Sequence, residues 1–331
     1  MFKHDHKHSH GHGHLSIASD SAILDSQKGI WVVKVSFAGL FITAILQVFV
    51  VIFTGSIALL ADTVHNIGDA ATAIPLWIAF AAAQWKPPKR FTYGYGKIED
   101  LAGIVVVAII LFSAVYAGYE SINRLLHPQV ITHLWAVAAA SIVGFLGNEA
   151  VAIFRIKVGK EIGSAALVAD GYHARVDGLT SLAVLFGPVG VWLGFPLADP
   201  IVGLVITVMI FKIVWDSAKA VFLRVLDGIE PEAIDEIRHA SRHVAGVKEI
   251  TEVRVRWLGH RLHAELNVSV DSALTVEQGH EIAREIRHQL LHHLKYLSNA
   301  TVHIDPIGHS GEQYHAFEKH KHGDLPIHSH K

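Results

Sequence analysis

Two histidine–aspartate pairs, each spaced i, i+4 inside a long apolar stretch, carry the chemistry this chain could do. His173 and Asp177 sit in the middle of SAALVADGYHARVDGLTSLAV, Ser164 to Val184. His65 and Asp69 repeat the device in SIALLADTVHNIGDAATA, within the stretch Ser56 to Phe80. A spacing of four puts both members of a pair on one helical face. An ionised carboxylate at membrane depth costs roughly 2.5–3.5 kcal/mol on insertion scales unless something pairs with it. Two such pairs offer two nitrogens and two oxygens around one point. That is a tetrahedral donor set for a borderline divalent cation, zinc first, with cadmium, cobalt and nickel accepting similar sets. Buried polar residues also glue helices together by hydrogen bonds, but two matched pairs favour a metal.

The elements that must position these residues are apolar and long. The chain of 331 residues is 51% hydrophobic and 18% charged, with its apolar residues in blocks. Six segments approach the ~20 residues needed to cross a bilayer: 31–54, 56–84, 100–126, 132–155, 164–193 and 199–223. Lys and Arg concentrate on alternate connections: Lys86, Lys89, Arg90 and Lys97 in one, Arg155, Lys157 and Lys160 in another. By the positive-inside bias both termini face the cytoplasm, as expected of a multi-pass protein of a bacterial inner membrane. A net charge of -2 gives no reason to expect nucleic acid, and the absence of cysteine leaves only nitrogen and oxygen as metal ligands.

Four regions follow. Residues 1–28 open on a tract carrying His4, His6, His8, His10, His12 and His14 and read as a polar cytoplasmic tail able to capture metal. Residues 29–226 form the all-α six-helix transmembrane domain. From 227 to 308 the pattern turns soluble: a helix with Pro231 in its first turn, two alternating strands, a helix capped by Thr275, and a strand stopped by Pro306. The order αββαβ is that of an α+β, ferredoxin-like domain. Residues 309–331 return to a histidine-bearing tail.

Further polar residues ask for roles. Asp62 and Asp170 precede the two pairs by three residues and either line an ion or proton path or cap polar contacts. Asn148 and Glu149 interrupt the fourth span and read as partners for Arg155 or another helix rather than as ligands. Asn66 could orient a ligand carboxylate, and Lys97 and Asp227 could pair across the cytoplasmic side. Gly68, Gly171 and Gly178 permit close helix approach. In the soluble part, His263 with Glu265, and His303 with Asp305, are spaced i, i+2 on strand faces and could form a second metal site. His288, His292 and His293 read as a solvated face.

Taken together, these residues resemble the cation diffusion facilitators over about 28–308. The marks are His65-Asn66-Ile67-Gly68-Asp69, the HxxxD of His173–Asp177, six spans, GYGK at Gly94–Lys97 and HIDP at His303–Pro306. The resemblance implies a homodimer in the lipid bilayer that exports divalent cations in exchange for protons by alternating access. It places His65, Asp69, His173 and Asp177 at the transport site, in the pattern of the zinc-preferring branch. With Phe91 and Tyr95 where some relatives carry histidines, it implies no metal site in the second link. Two rivals remain: an intramembrane zinc-dependent enzyme, which would need a general base such as that of HExxH, a motif this chain lacks, and a membrane-anchored metal sensor, which would leave six spans without purpose.

Overall fold

The computed structural model describes residues 13–54, 73–127, 134–194 and 198–309. They fall into two units: Asp25–Leu226 together with the tripeptide Leu258–His260, and the remainder, Asp227–Trp257 and Arg261–Lys331 with Met1–Leu24.

The first unit is helical: α1 Gly13–Thr54, α2 Ala73–Ala82, α3 Lys97–Leu126, α4 Leu134–Ile162, α5 Ala165–Trp192 and α6 Ala198–Val225. Where six spans were expected, four helices among the described residues are long and apolar enough to cross a membrane: Ile23–Phe49 within α1, Lys97–Leu126, Ala138–Ile162 and Ile201–Val225. The other two differ for separate reasons. α5 has 28 residues, but Asp170, His173, Arg175 and Asp177 dilute its apolarity. The second expected span, 56–84, is described only over 73–84, of which α2 makes ten residues, because 55–72, with Asp62, His65, Asn66, Gly68 and Asp69, lie outside the described residues.

Leu76, Phe80, Val106, Ile110, Leu167, Val176 and Ile210 form the interior of this unit. Trp31, Phe112, Tyr119, Val208 and Trp215 face outward, a surplus of exposed apolar surface that suits lipid rather than water. The amino-terminal region departs from expectation. α1 begins at Gly13, well inside the polar tail expected over 1–28. No proline interrupts Leu15–Trp31, so the apolar span propagates its helix backward through them.

The second unit follows the expected order: α7 Pro231–Arg242, β1 Glu249–Leu258, β2 Arg261–Val270, α8 Val276–His293 and β3 Leu297–Pro306. The strands lie in the order β1-β2-β3. β2 and β3 run parallel, with Asn267 opposite His303 and Ser269 opposite Asp305. Pro231 occupies the first turn of α7. Thr275 caps α8 through a reciprocal capping box with Gln278, which satisfies two otherwise orphaned amide donors. Leu262, Ala264, Leu266 and Val268 of β2 meet Ile237, Ile286 and Leu290 of the helices, so alternate β2 residues, His263 and Glu265 among them, occupy the other face.

Candidate metal centre on α5

α5 carries a buried polar stripe. Asp170, His173, Asp177 and Ser181, at intervals of three and four, are all at most 4% exposed. His173 Nδ1 and Asp177 Oδ2 are 3.7 Å apart, too far for a hydrogen bond. The gap instead approaches the roughly 3.3 Å that separates two tetrahedral ligands each about 2.0–2.1 Å from a zinc ion. Side chains on a helix lean toward its N-terminus, so Asp177 reaches back over His173. The pair therefore presents one nitrogen and one oxygen to a common point.

α4 holds α5 in place at short range. A Cβ on Gly171 would stand 2.9 Å from the Ile156 amide nitrogen, and one on Gly147 would stand 2.3 Å from Thr43 Oγ1 of α1. Gly178 has only ordinary clearance, 3.4 Å to Asn148 Cβ. The expected close approach thus falls at Gly171 rather than Gly178.

Of the two pairings expected of Glu149, with Arg155 or with another helix, it makes the second. Glu149 accepts two hydrogen bonds from Arg175 of α5, at 2.6 and 3.1 Å. Arg155 instead faces Asp170, Nη1 to Oδ2 2.9 Å, with both side chains at most 1% exposed. Sequence spacing gave no sign of that pair, nor of a second one. Glu99 of α3 meets His260 at 2.6 Å, and His260 Nε2 lies 3.2 Å from Ser26 Oγ. Nearby, Lys97 donates to the Arg224 carbonyl at 2.8 Å and lies 3.5 Å from Asp100, while Asp227 belongs to the other unit and takes a left-handed φ of 56°. In the second link, the rings of Phe91 and Tyr95 pack at a tilt of 43°, centroids 5.2 Å apart, with Trp85 edge-on to Tyr95.

In the second unit the two strand pairs do not converge. His303 Nε2 donates to Asp305 Oδ1 at 2.9 Å. Its β2 neighbour is Asn267, four residues beyond His263, which is about 13 Å along a strand. Glu265 lies 3.7 Å from Arg256. His263 is held down to about 4 by burial and by Arg256 and Arg261. Among the described residues no three His, Cys, Asp or Glu side chains cluster as a metal site. The rings of His288 and His292 meet edge to face on α8, centroids 4.4 Å apart, His288 half-buried and His292 exposed.

Comparison with known proteins agrees with this division. Residues 33–226 match the family described as "Cation efflux transmembrane domain", and 229–307 match "Cation efflux protein, cytoplasmic domain". A probable cation efflux system protein of Mycobacterium tuberculosis is 51% identical over 88% of this chain and 87% of its own length. The manganese efflux system protein MneP of Bacillus subtilis is 27% identical, over 78% of this chain and 90% of its own. Among solved structures, the "MamM CTD D249E - Cadmium form" covers 23% of this chain and 95% of its own, at 26% identity and a TM-score of 0.23. With more than half its length matched to the transmembrane model, the chain belongs to the cation efflux (cation diffusion facilitator) family, whose members are transporters of divalent metal ions and not enzymes.

Proposed function

We propose that this transporter is a zinc/proton antiporter that moves Zn2+ out of the cytoplasm, with His65, Asp69, His173 and Asp177 as the transport site. The observation that carries the reading is the buried approach of His173 to Asp177 at 3.7 Å. Neutral imidazole and ionised carboxylate bind metal and protonated ones do not, so metal and protons compete for one site. A mixed nitrogen–oxygen set favours zinc, whereas manganese prefers oxygen alone; this separates the chain from what is named for its Bacillus relative. Exchange for two protons moves no net charge. Exchange for one opposes a negative-inside potential by ~2.3 kcal/mol per 100 mV. Alternating access by a homodimer with cytoplasmic termini in a bacterial inner membrane completes the reading, the histidine tracts at both ends collecting metal.

The test is metal-dependent proton flux in proteoliposomes, across a panel of zinc, cadmium, cobalt, nickel and manganese. Wild type should prefer zinc, and His173→Ala, Asp177→Asn and Asp69→Ala should each abolish flux. Wild-type zinc flux by His173→Ala would overturn the site. Manganese flux above zinc would overturn the metal alone. Removing residues 1–14 should raise the zinc concentration needed for half-maximal flux.

A further inference from the structure

Beside the His173–Asp177 pair, the helical unit buries the charges of Arg155 on α4 and Asp170 on α5, at 1% and 0% exposure. Their contact is narrow. Nη1 and Oδ2 stand 2.9 Å apart, while among the described residues Arg155 Nε and Nη2 and both carboxylate oxygens of Asp170 have no hydrogen-bond partner. Such a pair is a poor stabiliser, since well-packed apolar residues of similar volume do as well or better. Its position suggests another purpose. Asp170 precedes His173 by three residues, about 4.5 Å along the helix axis, and both belong to the same buried stripe. A lone carboxylate there would add a negative charge beside any cation held by His173 and Asp177.

We propose that Arg155 is a positioning residue that balances charge at the ion site. Paired with Asp170, it cancels that extra negative charge, so that the cation is held by its own ligands and can still be released. This rests on His173 and Asp177 being ligands. The two halves of the pair then act in opposite directions. Without Arg155, the uncompensated carboxylate strengthens cation binding and slows release. Without the Asp170 charge, the unpaired guanidinium repels the cation. Charges within a helical turn or two, at the intermediate dielectric of a protein interior, change affinity on the order of tenfold or more.

The test measures Zn2+ uptake by the full-length protein in proteoliposomes at pH 8, as half-saturating concentration and maximal rate separately. R155Q should lower both by about tenfold, D170N should raise the half-saturating concentration about tenfold, and R155Q/D170N should return within about twofold of wild type. R155K, which keeps the charge, should stay near wild type. A double variant retaining either single defect, or single variants shifting in the same direction, would overturn the proposal. If a single variant fails to insert, the swap R155D/D170R decides: near-wild-type saturation supports charge balance, and a tenfold change rejects it. H173A in the same series separates the two readings. Unchanged uptake there removes the ion site itself, and the proposal with it. Lost uptake, with Arg155 and Asp170 variants indifferent, removes the charge-balance role alone.

Discussion

Glu99 and His260 stand 161 positions apart in the chain, yet Oε2 of one and Nδ1 of the other are 2.6 Å apart, with both side chains 1% exposed. A carboxylate can only accept, so Nδ1 carries the proton and Nε2 turns to Ser26 Oγ. Arg224 closes the arrangement by donating to the Gly259 carbonyl at 3.2 Å. Removing one partner of a buried pair leaves the other without compensation and costs about 3–5 kcal/mol. His260→Ala should therefore lower the thermal midpoint of the purified protein by several degrees. His260→Gln, which keeps a donor for Glu99, should recover part of the loss. An unchanged midpoint in His260→Ala would mean that the pair is not buried in solution.

What the sequence revealed and what it hid divide along one physical line. Periodicity is local: the apolar runs of α3, α4 and α6, the alternation in β2, the Thr275 cap and the i, i+4 geometry of His173 and Asp177 all follow from neighbours within a few residues. Pairings between elements are not local. Arg155 read as the basic end of a span, although its partner Asp170 lies one helix on. Nothing within a few residues of His260 marks it as the partner of Glu99. The pairs His263 with Glu265 and His303 with Asp305 were each visible as period-two arms. Only the β2–β3 register, setting Asn267 opposite His303, shows them displaced along the sheet.

The seam between α4 and α5 makes glycine position decisive. Gly171→Ala drives a methyl to 2.7 Å from Ile156 Cγ1 and 2.9 Å from the Ile156 backbone nitrogen, and backbone cannot yield as a side-chain tip can. Overpacking of this kind costs about 1–3 kcal/mol, and it displaces α5 two residues from His173. Zinc transport should fall severalfold. Gly178→Ala, with 3.4 Å of clearance, should transport normally, so equal loss in both variants would deny that this seam positions His173.

Glu149 and Arg175 offer a control for charge pairs. Their contact is bidentate, but the side chains are 26% and 33% exposed. Partly solvated pairs contribute at most about 1 kcal/mol. Glu149→Gln should leave the thermal midpoint within a few degrees of wild type and zinc affinity within about twofold. A tenfold change in affinity would assign Glu149 to the ion path.

His263 gives the second unit a pH dependence whose sign is fixed. Burial first, then Arg256 and Arg261, hold its imidazole down to about 4, against about 6.5 in an unfolded chain. Between those values the unfolded chain binds a proton that the folded domain refuses, so stability falls as pH drops from about 6.5 to about 4 and levels off below. With partial solvent exposure discounted, the loss is on the order of 2 kcal/mol. His263→Gln should remove that part of the slope, read as the difference between variant and wild type in hydrogen exchange of the β2 amides across this range. The two guanidiniums that discourage a proton also discourage a metal ion. Zinc binding to the cytoplasmic domain at pH 7 should therefore change little in His263→Gln. A large loss would show that a bound cation outweighs Arg256 and Arg261, returning His263 to the ligand set.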